Sequence, residues 1–246
     1  MVSFNEIGLV YDGLKYKNMI FSTSAPITTG VDGLDSLLDN GVEPLKVYMF
    51  FGPAGSGKTI ILHQIAVCAV KQRDKAIYLD TELSFNPDIV RKMAERFDVS
   101  DALNKIYYKR IKYPSEFDIV LKKLVERRDV GVVLLDNFDQ FIRMYQGTLA
   151  PSPGVLYALT RQVLIRLHYI KELLRIPVVI TNRVYSNLDE LITDSYIPYG
   201  GIAIKTMVNR VIHLMREDNK VFRAVDIYSN KPSFMFTIKN DGVYDL

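Results

Sequence analysis

Gly52-Pro53-Ala54-Gly55-Ser56-Gly57-Lys58-Thr59 has the form G-x-x-x-x-G-K-[ST], between the apolar run Val47 to Phe51 and the helix-like run Ile60 to Lys71. Glycines in such a loop let backbone N–H groups turn inward on phosphate oxygens, and a helix starting there adds its positive end. Lys58 is then expected to reach the β and γ phosphates of a nucleotide, and Thr59 to place its hydroxyl on Mg2+. The plainer alternative is a glycine-rich turn between two core elements that happens to carry a lysine. Two acids could complete this chemistry. Asp136 closes the continuous apolar run from Gly131 to Leu135 and fits an acid that holds Mg2+, usually through water, the alternative being a strand-end carboxylate capping a turn. Glu82, in Asp80-Thr81-Glu82, is a candidate general base, since hydrolysis needs a carboxylate to orient and deprotonate a water in line with the γ phosphate. Taken alone, it is an ordinary loop acid.

Those residues need a scaffold that brings strand ends together, and the pattern of elements supplies one. Val47 to Phe51, Ala76 to Leu79, Ile106 to Arg110, Gly131 to Leu135 and Pro177 to Thr181 read as strands. Between them lie helical patterns: the run Ile60 to Lys71 after the glycine loop, a helix begun by Asn86-Pro87-Asp88, one opened by Ser115-x-x-Asp118 as a capping box, and a long one from Val155 to Leu174. Ahead of them all, Leu34, Leu37 and Leu38 make one apolar helical face that Asn40-Gly41 ends. Alternation of this kind predicts a mainly parallel sheet with helices on both faces. Ligands then bind beyond the carboxyl ends of the strands, where Glu82 and Asp136 are expected beside the glycine loop. The last segment differs. Val208 to Met215, Val221 to Tyr228 and Ser233 to Ile238 predict an antiparallel meander closing one edge.

Composition narrows the classes. At 246 residues with 48% hydrophobic residues, the chain suits one α/β domain, preceded by an N-terminal arm over residues 1–26. A net charge of +3 neither demands nor excludes nucleic acid. Cys68 is the only cysteine, and His63, His168 and His213 are scattered, so neither a disulfide framework nor a zinc site is expected. With neither a signal-peptide pattern at the start nor an apolar run long enough for a membrane span, a cytoplasmic protein is expected.

Several motifs recur in a fixed order: Thr29-Gly30-Val31-Asp32-Gly33-Leu34-Asp35, the glycine loop, Tyr78-Leu79-Asp80-Thr81-Glu82, Phe85-Asn86-Pro87-Asp88, Leu134-Leu135-Asp136, Val178-Val179-Ile180-Thr181-Asn182 and Gly200-Gly201. In this the chain resembles the RecA/RadA recombinase family over about residues 27–246. With about 26 residues before the core, it is similar to the short, core-only RadB-like archaeal paralogues. The resemblance implies a RecA-like P-loop NTPase core at 27–246, ATP and Mg2+ as cofactors, and Glu82 as the residue that activates water. It also implies work alongside a recombinase or other repair protein, with homo-oligomers as a further form. Where such recombinases have a glutamine after Ile180-Thr181-Asn182, this chain has Arg183, a candidate γ-phosphate sensor or else an ion-pair partner of an acid such as Asp189 or Glu190. The arginine that packs on adenine falls at Ile89.

The two DNA-facing loops of the family fall near Met144 to Gly154 and Tyr185 to Gly200. Arg143, Tyr145, Tyr185, Tyr196 and Tyr199 are their candidate DNA or partner contacts. Residues 144–151 and 185–200 contain no lysine or arginine, so they add little backbone neutralisation, and single-stranded DNA binding is expected to be weak or partner-dependent. Lys105 to Tyr113 interleaves cations with tyrosines, as a DNA stripe or as a strand with solvated lysines. The leading expectation is a slow ATPase that assists homologous recombination and DNA repair. The alternatives are a regulatory ATPase resembling the KaiC group and a nucleotide-dependent structural subunit.

Overall fold

Five residues at the centre of the sheet organise the molecule. In the computed structural model, which describes residues 25–73, 75–127, 129–146, 152–185 and 197–246, every side chain of Val47–Phe51 is buried. Tyr48 and Phe50 enter one hydrophobic cluster, while Val47, Met49 and Phe51 enter a second on the opposite face. Each large side chain removed from water contributes about 1.5–3 kcal/mol, so a strand apolar on both faces is stable only between two layers.

The strands in chain order are β1 (Val47–Phe51), β2 (Lys75–Asp80), β3 (Ile106–Arg110), β4 (Val130–Asp136), β5 (Val178–Asn182), β6 (Val184–Tyr185), β7 (Ile197–Pro198), β8 (Arg210–Arg216), β9 (Val221–Asp226), β10 (Phe234–Lys239) and β11 (Gly242–Asp245). Nine of them form one sheet of order β11-β10-β9-β8-β1-β5-β4-β2-β3, and β6 pairs only with β7. Pairings from β8 to β3 are parallel, and those among β8, β9, β10 and β11 are antiparallel. The α/β sheet with a C-terminal meander is therefore present, with one strand more than the sequence suggests.

The helices are α1 (Asp32–Leu37), α2 (Lys58–Gln72), α3 (Pro87–Arg96), α4 (Ala102–Lys105), α5 (Pro114–Leu124), α6 (Phe138–Gln146), α7 (Pro153–Leu174) and α8 (Gly201–Met207). Residues of α1, α2 and α3 pack in the cluster that holds Tyr48, and residues of α5, α6, α7 and α8 pack in the other. Asn86 caps α3 by accepting from the N–H groups of Asp88 and Ile89, with Pro87 in the first turn. The expected Ser115/Asp118 box does not form. Glu116 instead reaches back to the N–H groups of Lys112 and Tyr113, because Tyr113 is the N-cap and α5 starts at Pro114, two residues earlier than a Ser115 cap implies, and Asp118 pairs with Arg166 at 2.9 Å. The expected arm lies outside the described residues except for Ala25 and Pro26.

Candidate functional site

The glycine loop leaves β1 at Gly52 and enters α2 at Lys58. Two glycines are required by close approaches: a Cβ at Gly52 would lie 2.3 Å from the Leu214 carbonyl oxygen, and Gly57, at φ +94°, would bring one within 2.7 Å of Ile238. Pro53, Ala54 and Gly55 form the crest, and Ser56 buries a hydroxyl that has no hydrogen-bond partner among the described residues. Lys58 is only 8% exposed and donates to the carbonyls of Gly52 and Pro53 at 2.9 and 2.7 Å, so its ammonium lies across the mouth of its own loop. Burial lowers its pKa, against the opposing pull of Asp136.

Asp136, at the end of β4, is 2% exposed. Its Oδ2 accepts from Thr59 at 2.8 Å, Tyr78 at 3.1 Å and Ser84 at 2.7 Å, and its Oδ1 accepts from Thr181. Hydroxyls from α2, β2, the loop after β2, and β5 thus converge on one carboxylate, as the parallel order β2-β4-β5 requires. Tyr78, Ser84 and Thr181 were not visible as site residues in the sequence. The polar end of Ile180-Thr181-Asn182 was the available signal. Asp80 shapes the neighbouring loop by accepting from the N–H groups of Glu82 and Phe85.

Glu82 lies on that loop, next to Leu83, which takes φ +60°. Its carboxylate is ion-paired with Arg183 just beyond β5. Burial raises the Glu82 pKa, and Arg183 pulls it back. Asp139, in the first turn of α6, is fully buried and lies 4.0 Å from the Arg183 guanidinium. Arg183 therefore pairs with Glu82; Asp189 and Glu190 lie outside the described residues.

Between the glycine loop and the meander runs a cleft of about 410 Å³, lined by Thr59, Ile60, Arg216, Asn219, Phe222 and Ile238 among others. Its lining combines glycine-loop residues with apolar side chains, which suits a phosphate chain carrying a flat ring. Phe222 and Ile238 come from strands far from the loop in sequence, so no local pattern marks them. Ile89 is half-buried on α3.

A family model described as Rad51 matches residues 22–246. The chain belongs to the Rad51 family. As a Rad51-family member of the RecA/RadA group it has the RecA-like α/β fold, and its relatives are ATPases that act in DNA recombination and repair, commonly oligomerise, and work with repair partners and single-stranded DNA. Of the candidate DNA or partner contacts in this Rad51-family chain, Tyr199 is 5% exposed and lies under the Arg143 guanidinium, 4.9 Å from its ring centre. Tyr145 packs edge-on against Phe141. Tyr196 and the side chain of Tyr185 lie outside the described residues. No helix of the described residues is long and apolar enough to cross a membrane.

Proposed function

We propose that this chain binds ATP with Mg2+ and hydrolyses it slowly, as a recombinase paralogue that assists homologous recombination and DNA repair. The observation that carries this reading is the convergence of Lys58, Thr59 and Asp136 at the mouth of the glycine loop, with Glu82 on the loop that follows β2. The donor set fits the cofactor: a hydroxyl and a carboxylate 2.8 Å apart are hard oxygen ligands of the kind Mg2+ takes. Thr59 and Asp136 would hold that ion, the latter through water, and Mg2+ supplies charge neutralisation on the phosphates.

The protein's own residues do the rest. The loop N–H groups and Lys58 bind the phosphate oxygens and stabilise charge that grows as the terminal phosphoryl group leaves. Glu82 orients a water and takes its proton. Pairing with Arg183 occupies an oxygen of that base, which supports a slow basal rate. Arg183 is also within electrostatic reach of Lys58, which supports its role as a γ-phosphate sensor. The cation-free loop segments support weak or partner-dependent binding of single-stranded DNA; the proposed setting is the cytoplasm, beside a recombinase or other repair protein or as a homo-oligomer.

Glu82→Gln tests the chemistry. The near-isosteric amide keeps the packing but cannot accept the proton, so ATP binds normally while turnover falls by about 10²–10⁴-fold. Surviving turnover would remove Glu82 from the role. Turnover measured with and without single-stranded DNA, and with a recombinase present, tests the biology: stimulation by DNA is expected, and its absence in both settings favours a purely regulatory ATPase.

A further inference from the structure

Asp139 is a buried acid for which the steps above have no use. Its Oδ2 accepts from Arg143 Nε at 3.4 Å, and its Oδ1, also buried, has no hydrogen-bond partner among the described residues. Arg183 Nε stands 4.0 Å from that Oδ1, while Nη2 of the same guanidinium is on Glu82. A buried carboxylate with an unfilled acceptor is costly, and here a donor stands about one ångström beyond hydrogen-bond range. The Arg183 side chain is 53% exposed, so it has room to rotate. Burial raises the Asp139 carboxyl, and Arg183 and Arg143 draw it back down. Lys58 feels Arg183, Asp139 and Glu82 together, which ties the group to the phosphate end of the site.

We infer that Asp139 is a positioning residue that competes with Glu82 for the Arg183 guanidinium, so that Glu82 is free to act on water only while Asp139 holds the arginine. With Arg183 on Glu82, a carboxylate oxygen is committed to a charged donor and the base is restrained. With Arg183 on Asp139, the orphan oxygen is satisfied, the arginine keeps a partner, and Glu82 is released. The guanidinium suits this exchange because its donors lie in a rigid fork, so one edge can leave an acid as another edge meets its neighbour. This inference rests on the reading of Glu82 as the base.

The test compares the parent, Asp139→Asn, Arg183→Gln and the double variant by steady-state ATP turnover and by equilibrium ATP binding, with thermal melting as the check on folding. Asp139→Asn weakens the second seat, so kcat falls about fivefold, the factor for losing one partly exposed ion pair, with the ATP Kd unchanged. In the Arg183→Gln background the same substitution has no further effect on kcat, because Asp139 acts only through the arginine. An equal loss in both backgrounds marks a merely structural role and overturns the inference, as does an unchanged kcat in Asp139→Asn. Should Asp139→Asn not fold, Asp139→Ser goes through the same comparison. Glu82→Gln, run alongside, separates the two readings. If it retains turnover, the base assignment fails. If it abolishes turnover while Asp139→Asn acts equally in both backgrounds, only the present inference fails. A parent without ATP turnover rejects both.

Discussion

Leu83 stands beside the candidate base in a backbone conformation that side chains disfavour, with φ +60° and 57% of its surface exposed. For an L-residue the left-handed region costs about 1–2 kcal/mol, and an exposed leucine returns little of that through packing. Leu83→Gly removes the clash but loosens the unfolded chain by about 0.4–1 kcal/mol, leaving a net gain of about 0.5–1 kcal/mol. Leu83→Asn tolerates the same backbone without the glycine penalty and gains at least as much. For a chain of this size 1 kcal/mol moves Tm by about 2–4 °C, so an increase of about 1–4 °C is expected. Guanidinium unfolding without nucleotide reads the same quantity as a higher midpoint at constant m. A loss of more than about 0.5 kcal/mol in both variants, beyond ordinary surface scatter, would refute the reasoning and make the Leu83 side chain a stabilising contact.

Lys58→Ala removes the only lysine in the glycine loop motif, and turnover should fall by at least about 10²–10³-fold with ATP binding lost or much weakened, as calorimetry would report; unchanged binding and turnover in a folded variant refute the phosphate cradle. His63 is 1% exposed, and burial lowers its pKa to about 4 against roughly 6.5 in the unfolded chain. The folded state therefore binds fewer protons between those values, so stability is about 2 kcal/mol smaller at pH 5 than above pH 6.5 and goes on falling to about pH 4; denaturant melts should show a shallower slope in His63→Gln than in the parent, the remainder including His213, which burial also lowers to about 4. Asn86→Ala takes away the acceptor for the N–H groups of Asp88 and Ile89 and should cost about 1 kcal/mol, read by the same melts.

The parts of the molecule that were legible in the sequence are those whose cause is local. The glycine loop is marked by its own eight residues, and β3 by five residues of strand propensity whose bounds the structure reproduces. Asp136 was legible because a continuous apolar run ends at it, although the hydroxyls that converge on it come from four other places in the chain. The Glu82–Arg183 pair spans 101 residues and depends on strand order, which no pattern of propensities gives. Asp139 was hidden because α6 is a short helix following directly on Asp136 and was not expected there; its charge sits among Phe138, Phe141 and Ile142, all buried. β11 is four residues long and is held by long-range bonds, Val243 N–H to Gln64 and the Asp245 carboxylate on the N–H groups of Asp32 and Gly33. Its sequence shows no comparable signal.

The placement of β1 between β5 and β8 bears on how the chain is made. On a ribosome, Val47–Phe51 emerges long before Val178–Asn182 and Arg210–Arg216, the only strands it pairs with in the sheet. At about 5–20 residues per second, the interval before the nearer partner is synthesised is roughly 6–25 s. Through that time a wholly apolar strand has both edges open and neither face covered by its final layers, the condition under which nascent chains pair with one another. The glycine loop grows directly out of this strand, so it gains a fixed base only when β5 and β8 arrive. Production of this protein should therefore depend on chaperone supply and elongation rate far more than the stability of the finished domain suggests.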